Sequence, residues 1–233
     1  MAYTTRHEGC PLGAVETWVF DLDNTLYPAS CGLFPQVQAR MNEYICTLLD
    51  VPMETAQALR AQYFREHGTT MHGLMAVHRV DPNEFMAFVH AVDLSVVPAN
   101  PALVASLEKL PGRKLVYTNG SVPHAENLLR HLGITQHFDE IFDIVASEFV
   151  PKPAMAPFRE FVRRHAVEPT RALMIEDMAK NLLPAAELGM TTAWVRTGVD
   201  WATVGSDADH VNYVVEDLAG FLAAAVAESE ARR

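Results

Sequence analysis

The chain has 233 residues, 49% of them hydrophobic and 20% charged, with 12 Gly and 14 Pro. That composition excludes collagen-like, low-complexity and disordered chains and leaves room for one large domain or two modest ones. With 18 basic against 29 acidic residues the net charge is −11, so no nucleic-acid groove or anionic membrane surface is expected, and any bound anion must be held by local groups.

The first twenty residues hold no basic stretch leading into an apolar run, so no signal peptide is expected. The apolar run from Phe221 to Ala227 is far too short to span a bilayer. Cys10, Cys31 and Cys46 are odd in number and lack zinc or redox spacing, which suits free thiols in a reducing cytoplasm.

Along the chain, short β-rich runs alternate with helical periods. Thr17 to Asp21 is a compact apolar strand ending in acids. A long helical interval follows. Val37, Met41, Ile45 and Leu48 line one face, Ala56, Leu59 and Tyr63 mark a second helix, and 71–79 and 84–91 read as two more, punctuated by Asp81-Pro82. Met41, Met71, Met75 and Met86 read as filler for a core within it. Next come a helix with Asn100 as N-cap and Pro101 at its first position, a strand at Lys114–Thr118, and a helix carrying Ala125, Leu128, Leu129 and Leu132 that stops at Gly133. Ile141 to Ala146, Ala172 to Glu176 and Thr192 to Val195 are further strand candidates, and 228–233 reads as a fraying helix end. Strands with few polar interruptions, separated by helices, imply an α/β fold with a parallel sheet covered on both faces. The interval after Asp21 is far longer than a βα connection. Residues 28–98 are therefore read as a helical subdomain inserted into a core made of 1–27 and 99–233.

The strongest local signal is Phe20-Asp21-Leu22-Asp23-Asn24-Thr25. Two carboxylates two residues apart at a strand end repel unless a cation or proton intervenes. A lone Asp-x-Asp is most simply an acidic turn. Here three later segments supply complementary groups: Thr118-Asn119-Gly120, Lys152 between Pro151 and Pro153, and Glu176-Asp177. Parallel strands bring their C-terminal ends together, so these groups can meet. A carboxylate nucleophile, a second carboxylate, a hydroxyl, a cation and a hard-oxygen metal ligand are what phosphoryl transfer through an aspartyl-phosphate requires, and Mg²⁺ is the cation such oxygens select.

These four motifs resemble those of the haloacid dehalogenase superfamily. The stretches FDLDNTLYP, Leu33-Phe34-Pro35, Arg40-Met41, Gly68-Thr69-Thr70, Gly73-Leu74, Phe88-Val89-His90, EDMAKNL and Leu188-Gly189-Met190 are similar to its pyrimidine 5′-nucleotidase branch. The resemblance implies a Rossmann-like core with a C1-type helical cap. It implies Asp21 as nucleophile and Asp23 as the acid/base that protonates the leaving oxygen and then activates water. Mg²⁺ would be held by Asp21, the Asp23 backbone carbonyl and Asp177, with Glu176 acting through water and Asn181 standing where the wider superfamily has a second Asp. Thr118 and the backbone N–H groups around Asn119 and Gly120 would hold the phosphoryl oxygens beside Lys152, and Thr70 would lie in a loop near the substrate; a capped helix start at Thr69, Thr70 and His72 is the alternative. His124 and His131, seven apart on one helix, have no zinc spacing and read as partly exposed.

The expected activity is hydrolysis of a nucleoside 5′-monophosphate such as UMP or CMP by a monomer or homodimer acting on a small molecule. Another phosphomonoester, such as a sugar phosphate, is the alternative. A haloacid dehalogenase is disfavoured because its chemistry needs no leaving-group acid at Asp23. A hexose-phosphate mutase would retain the phosphate. A receiver-like signalling module would carry its Asp on a later strand and lack the insertion, and a catalytically silent sensor would show a broken motif.

Overall fold

The computed structural model describes residues 1–232. Seven strands run in chain order: β1 (Tyr3–Thr5), β2 (Thr17–Phe20), β3 (Arg113–Tyr117), β4 (Glu140–Phe142), β5 (Ala172–Glu176), β6 (Thr191–Val195) and β7 (Tyr213–Val215). They form one sheet ordered β1-β7-β6-β5-β2-β3-β4, parallel throughout except for the antiparallel β1–β7 edge. The nine α-helices among the described residues are α1 (Leu33–Leu49), α2 (Met53–His67), α3 (Thr70–His78), α4 (Pro82–Val89), α5 (Pro101–Lys109), α6 (Val122–Leu132), α7 (Met155–Arg164), α8 (Leu183–Glu187) and α9 (Leu218–Ala231). None is long and apolar enough to cross a membrane.

The period of two explains how the central strands bury both faces. Phe20 pairs with Val116 and Ile175, and all three enter one core. Val19 pairs with Leu115 and Met174, and these enter the core on the opposite face. β2 is buried at every position, as a largely apolar strand flanked on both sides must be. The expected helix signals operate as read. The Asn100 side chain accepts from Leu103 N at 3.0 Å at the start of α5, and Gly133 ends α6 at φ 69°.

The structure differs from the sequence reading in four places. β1 and β7 were not foreseen, since three residues are too few to show a period. The run from Ile141 to Ala146 is a strand only as far as Phe142. Asp143 ends it by accepting from Val122 N through Oδ2 and from Ala146 N through Oδ1. On α1 the buried stripe follows the i, i+4 ridge through Val37, Met41 and Ile45 to Leu49, leaving Leu48 42% exposed. α9 continues through most of the tail read as fraying; Arg233 lies outside the described residues.

Helices α1–α4 occupy the interval between β2 and β3 and share a buried cluster that includes Val37, Ile45, Tyr63, Leu74 and Phe85. Met71 and Met86 are buried in it, with Met41 and Met75 packed against it. α2 and α3 approach so closely that a Cβ at Gly73 would sit 2.4 Å from Tyr63 Cβ. Gly73→Ala is therefore expected to cost about 1–3 kcal/mol by overpacking. A lower urea midpoint at unchanged slope is the result that checks it.

Candidate active site

The parallel register places the ends of β2, β3 and β5 side by side, and the order of strands reverses around β2, where open α/β sheets form their crevice. Asp21 follows β2 directly, its N–H donating to Ile175 O at 2.8 Å, and Thr118 follows β3. Glu176 ends β5 and Asp177 comes next. The residues singled out in the sequence converge on one cavity of about 610 Å³, closed on the other side by α1–α4.

Lys152 is the central cation. Its Nζ donates to Asp21 Oδ1 at 2.7 Å and Tyr117 O at 2.9 Å, and lies 3.2 Å from Glu176 Oε1. Asn119 does not face the cavity with a free amide oxygen, because its Oδ1 accepts from Lys152 N at 2.9 Å. It holds the lysine segment in place. Likewise Gly120 N donates to Thr118 Oγ1 at 2.9 Å. Both groups line the cavity, but each also has a partner within the protein. Asp21 Oδ2 accepts from Thr25 Oγ1 at 3.0 Å, which gives the threonine of the motif a task.

Oxygen atoms of Asp21, Glu176 and Asp177 lie within 4.8 Å of one another, and all three residues are buried. Glu176 is already committed: it accepts from Asp177 N at 2.9 Å and from Asn181 Nδ2 and pairs with Lys152. Asp177 Oδ2, in contrast, is buried without a hydrogen-bond partner, as is Asn181 Oδ1. Burial and the neighbouring Glu176 carboxylate raise Asp21 to about 8 despite Lys152. Burial, Glu176 and Asp21 hold Asp177 well above the ordinary carboxylate range. Three buried carboxylates against one ammonium are short of positive charge, and hard oxygen donors with an orphaned buried oxygen fit Mg²⁺.

Asp23 stands apart from this acidic group. Its Oδ1 accepts from Tyr27 OH at 2.8 Å and faces His124 Nε2 at 2.9 Å. Its Oδ2 points toward the loop at Gly120, where a Cβ would lie 3.7 Å from it. Burial opposes the charge on Asp23, but His124 outweighs burial and brings the carboxyl down to about 2. His124 itself is raised because Asp23 overcomes burial. The His90 ring stacks on His124 at 4.1 Å and 13°, with its Nδ1 3.0 Å from Ser121 Oγ. Burial and the charge on His124 push His90 down to about 3.

His124 corrects the sequence reading: it is 3% exposed, not partly exposed, whereas His131 on the same helix is exposed. The available signal was its place in the first turn of α6, directly after the Thr118–Gly120 strand end. Thr70 is also placed differently from a free substrate-loop hydroxyl. Thr69 caps α3 by accepting from His72 N at 3.1 Å, and Thr70 Oγ1 donates to Arg60 O at 3.3 Å. The capped helix start describes this segment, although both threonines line the cavity.

The shifts set a pH prediction for the metal-free protein. Asp21, raised from 3.8 to about 8, adds stability that is lost as the pH rises toward 8. His124, raised above its ordinary 6.5, acts in the same direction above that pH. Asp23, lowered to about 2, has completed its opposite effect by pH 4, and His90, lowered to about 3, by 6.5. In chelator, Tm is therefore expected to fall between pH 6.5 and 8, as followed by calorimetry.

A family model described as haloacid dehalogenase-like hydrolase matches residues 15–189. Among curated proteins, Phosphate metabolism protein 8 of Saccharomyces cerevisiae is 25% identical over 198 residues, covering 77% of this chain and 61% of that protein. Protein CbbY of Cereibacter sphaeroides is 28% identical over 117 residues, covering 49% of this chain and 50% of that protein. The chain thus spans half to three fifths of these relatives. A HAD phosphatase from Thermococcus onnurineus superposes with a TM-score of 0.63 at 16% identity, covering 89% of this chain and 96% of the other. The L-2-haloacid dehalogenase of Xanthobacter autotrophicus gives 0.56 at 16% identity, covering 90% and 97%. At these identities the structures establish the shared fold.

Proposed function

Because the chain belongs to the haloacid dehalogenase-like hydrolase family, we propose that it is a phosphomonoesterase acting on nucleoside 5′-monophosphates, UMP and CMP foremost, through an aspartyl-phosphate on Asp21. The observation that carries this reading is Asp23, two residues from the nucleophile, with one oxygen anchored by Tyr27 and His124 and the other turned toward the Thr118–Gly120 loop. A phosphatase needs such a leaving-group acid; displacement of a halide does not.

In this reading Asp21 Oδ2 or Oδ1 attacks the phosphorus while Thr25 and Lys152 fix the carboxylate. Lys152 also offsets negative charge on the transferring phosphoryl group, and Thr118 with the loop at Asn119 and Gly120 orients its oxygens. The Asp23–His124 pair is the proton source: His124 supplies the proton that Asp23 hands to the leaving oxygen, and Asp23 later takes one from the water that cleaves the aspartyl-phosphate and returns it to His124. Asp21, Asp177 and the Asp23 backbone carbonyl are the groups that would hold Mg²⁺, which when bound offsets repulsion between the carboxylate and the phosphate. Glu176 accepts from the Asp177 backbone N–H and from Asn181, which would hold the Asp177 segment in place for the metal. The same reading divides the chain into a core of 1–27 and 99–233 and a cap of 28–98 that encloses a small-molecule substrate, in a cytoplasmic monomer or homodimer.

Phosphate release with Mg²⁺ from UMP, CMP, purine nucleotides and hexose phosphates, beside chloride release from 2-chloropropionate, tests the proposal. Preferential release from UMP and CMP is expected. Preference for hexose phosphates would replace the substrate class and keep the mechanism, while chloride release without phosphate release would overturn both. Mg²⁺ is also expected to raise Tm, and more at pH 8 than at pH 6.5, since it replaces the protons that the acidic group holds at lower pH.

A further inference from the structure

The cavity also carries three aromatic rings with no task in the chemistry above. Phe34 lies in the first turn of α1, Phe64 on α2, and Trp201 in the short turn Asp200–Ala202 after β6. The Phe34 and Trp201 ring centres are 5.9 Å apart at 39°, and those of Phe64 and Trp201 6.3 Å apart at 75°. All three line the cavity and are partly exposed, and none belongs to the three buried clusters. Large aromatic surface held out of the core and turned into a cavity is a binding surface before it is a packing surface.

The polar groups beside the rings are donors. Arg60 precedes Phe64 by one helical turn, so both occupy one face of α2. Its Nε donates to Asn42 Oδ1 at 2.9 Å, and it has no carboxylate partner among the described residues. Lys180 Nζ lies 4.9 Å over the Phe64 ring. Donor-only cations next to aromatic faces suit a planar ring bearing carbonyl acceptors, the pattern of a pyrimidine base.

We propose that Phe34, Phe64 and Trp201 form an aromatic subsite whose cavity-facing surface stacks against the base of the substrate, with Arg60 donating to the base carbonyls. The assignment rests on the nucleotide reading of the same cavity. Because Trp201 comes from the sheet side and the two phenylalanines from the inserted helices, base recognition spans both parts of the chain.

The test compares UMP with ribose 5-phosphate, which keeps the phosphate and sugar but lacks the base, in the wild type and in Phe64→Leu, Trp201→Leu, Trp201→Phe and Arg60→Gln. For each leucine variant the UMP to ribose 5-phosphate ratio of kcat/KM is expected to fall roughly tenfold, the scale of one base–aromatic stack. Trp201→Phe, which keeps a ring, should recover most of that ratio and thereby separates stacking from misfolding. Arg60→Gln should narrow the UMP over AMP preference. A wild-type ratio above one that survives in both leucine variants overturns the subsite and leaves the nucleotide reading standing. A wild-type ratio of one overturns the nucleotide reading and the subsite with it.

Discussion

Asp21→Asn is expected to cut Mg²⁺-dependent phosphate release by roughly 10⁴-fold or more, the scale of removing a nucleophile, while making the metal-free protein more stable. The two effects share one cause. Asp21 is buried beside Glu176, and that burial raises its carboxyl to about 8. A carboxylate under this pressure is held ready for a cation and a phosphorus atom at the expense of the unliganded fold. An amide of the same shape removes the charge and keeps an oxygen for Lys152 Nζ, now 2.7 Å from Asp21 Oδ1. Metal-free Tm should then rise by at least about 2–4 °C, the shift that 1 kcal/mol produces in a chain of this size. Phosphate release and calorimetry on the same preparation check both halves. Wild-type turnover in the variant would remove Asp21 as the nucleophile, and a lower Tm would mean that its carboxylate is a net stabiliser.

The second large effect is expected at Asp23. Asp23→Asn should slow UMP hydrolysis by about 10²–10⁴-fold, the usual worth of a general acid, and slow p-nitrophenyl phosphate much less. The aryl oxide leaves without help from a proton, whereas the ribose oxygen does not. The positioning role of His124 follows from its 2.9 Å approach to Asp23 Oδ1. His124→Ala should reproduce part of the same leaving-group dependence. His124→Gln, which restores an N–H donor near that oxygen, should recover part of the loss. Equal slowing of both esters in Asp23→Asn would rule out a leaving-group role. Equal slowing of both in His124→Ala would reduce His124 to packing under His90, whose ring stacks on it at 4.1 Å.

Local pattern by itself determined much of this protein. The β2 and β5 runs are apolar at nearly every position and β3 is apolar over Leu115–Tyr117, which points to strands inside a parallel sheet. That alone makes Asp21, Thr118 and Glu176-Asp177 neighbours, because a parallel sheet gathers its C-terminal strand ends whatever their separation in sequence. The long helical interval after β2 was legible from its period, the start of α5 from Asn100 and Pro101, and the end of α6 from Gly133.

Only the tertiary structure decided the rest. Three-residue strands such as β1 and β7 carry no period and exist because the sheet edge offers partners. Which side of α6 faces the crevice is set by packing, so His124 became the partner of Asp23 while His131, seven residues on, faces solvent. Thr69 and Thr70 are equivalent as sequence, yet one caps α3 and the other bonds to Arg60. The Asn119 side chain carries no sequence signal for its task, yet it holds the Lys152 backbone. Each of these depends on the direction of one side chain among several elements. Sequence spacing states which groups can meet; the crossing of helices and strands states which of them do.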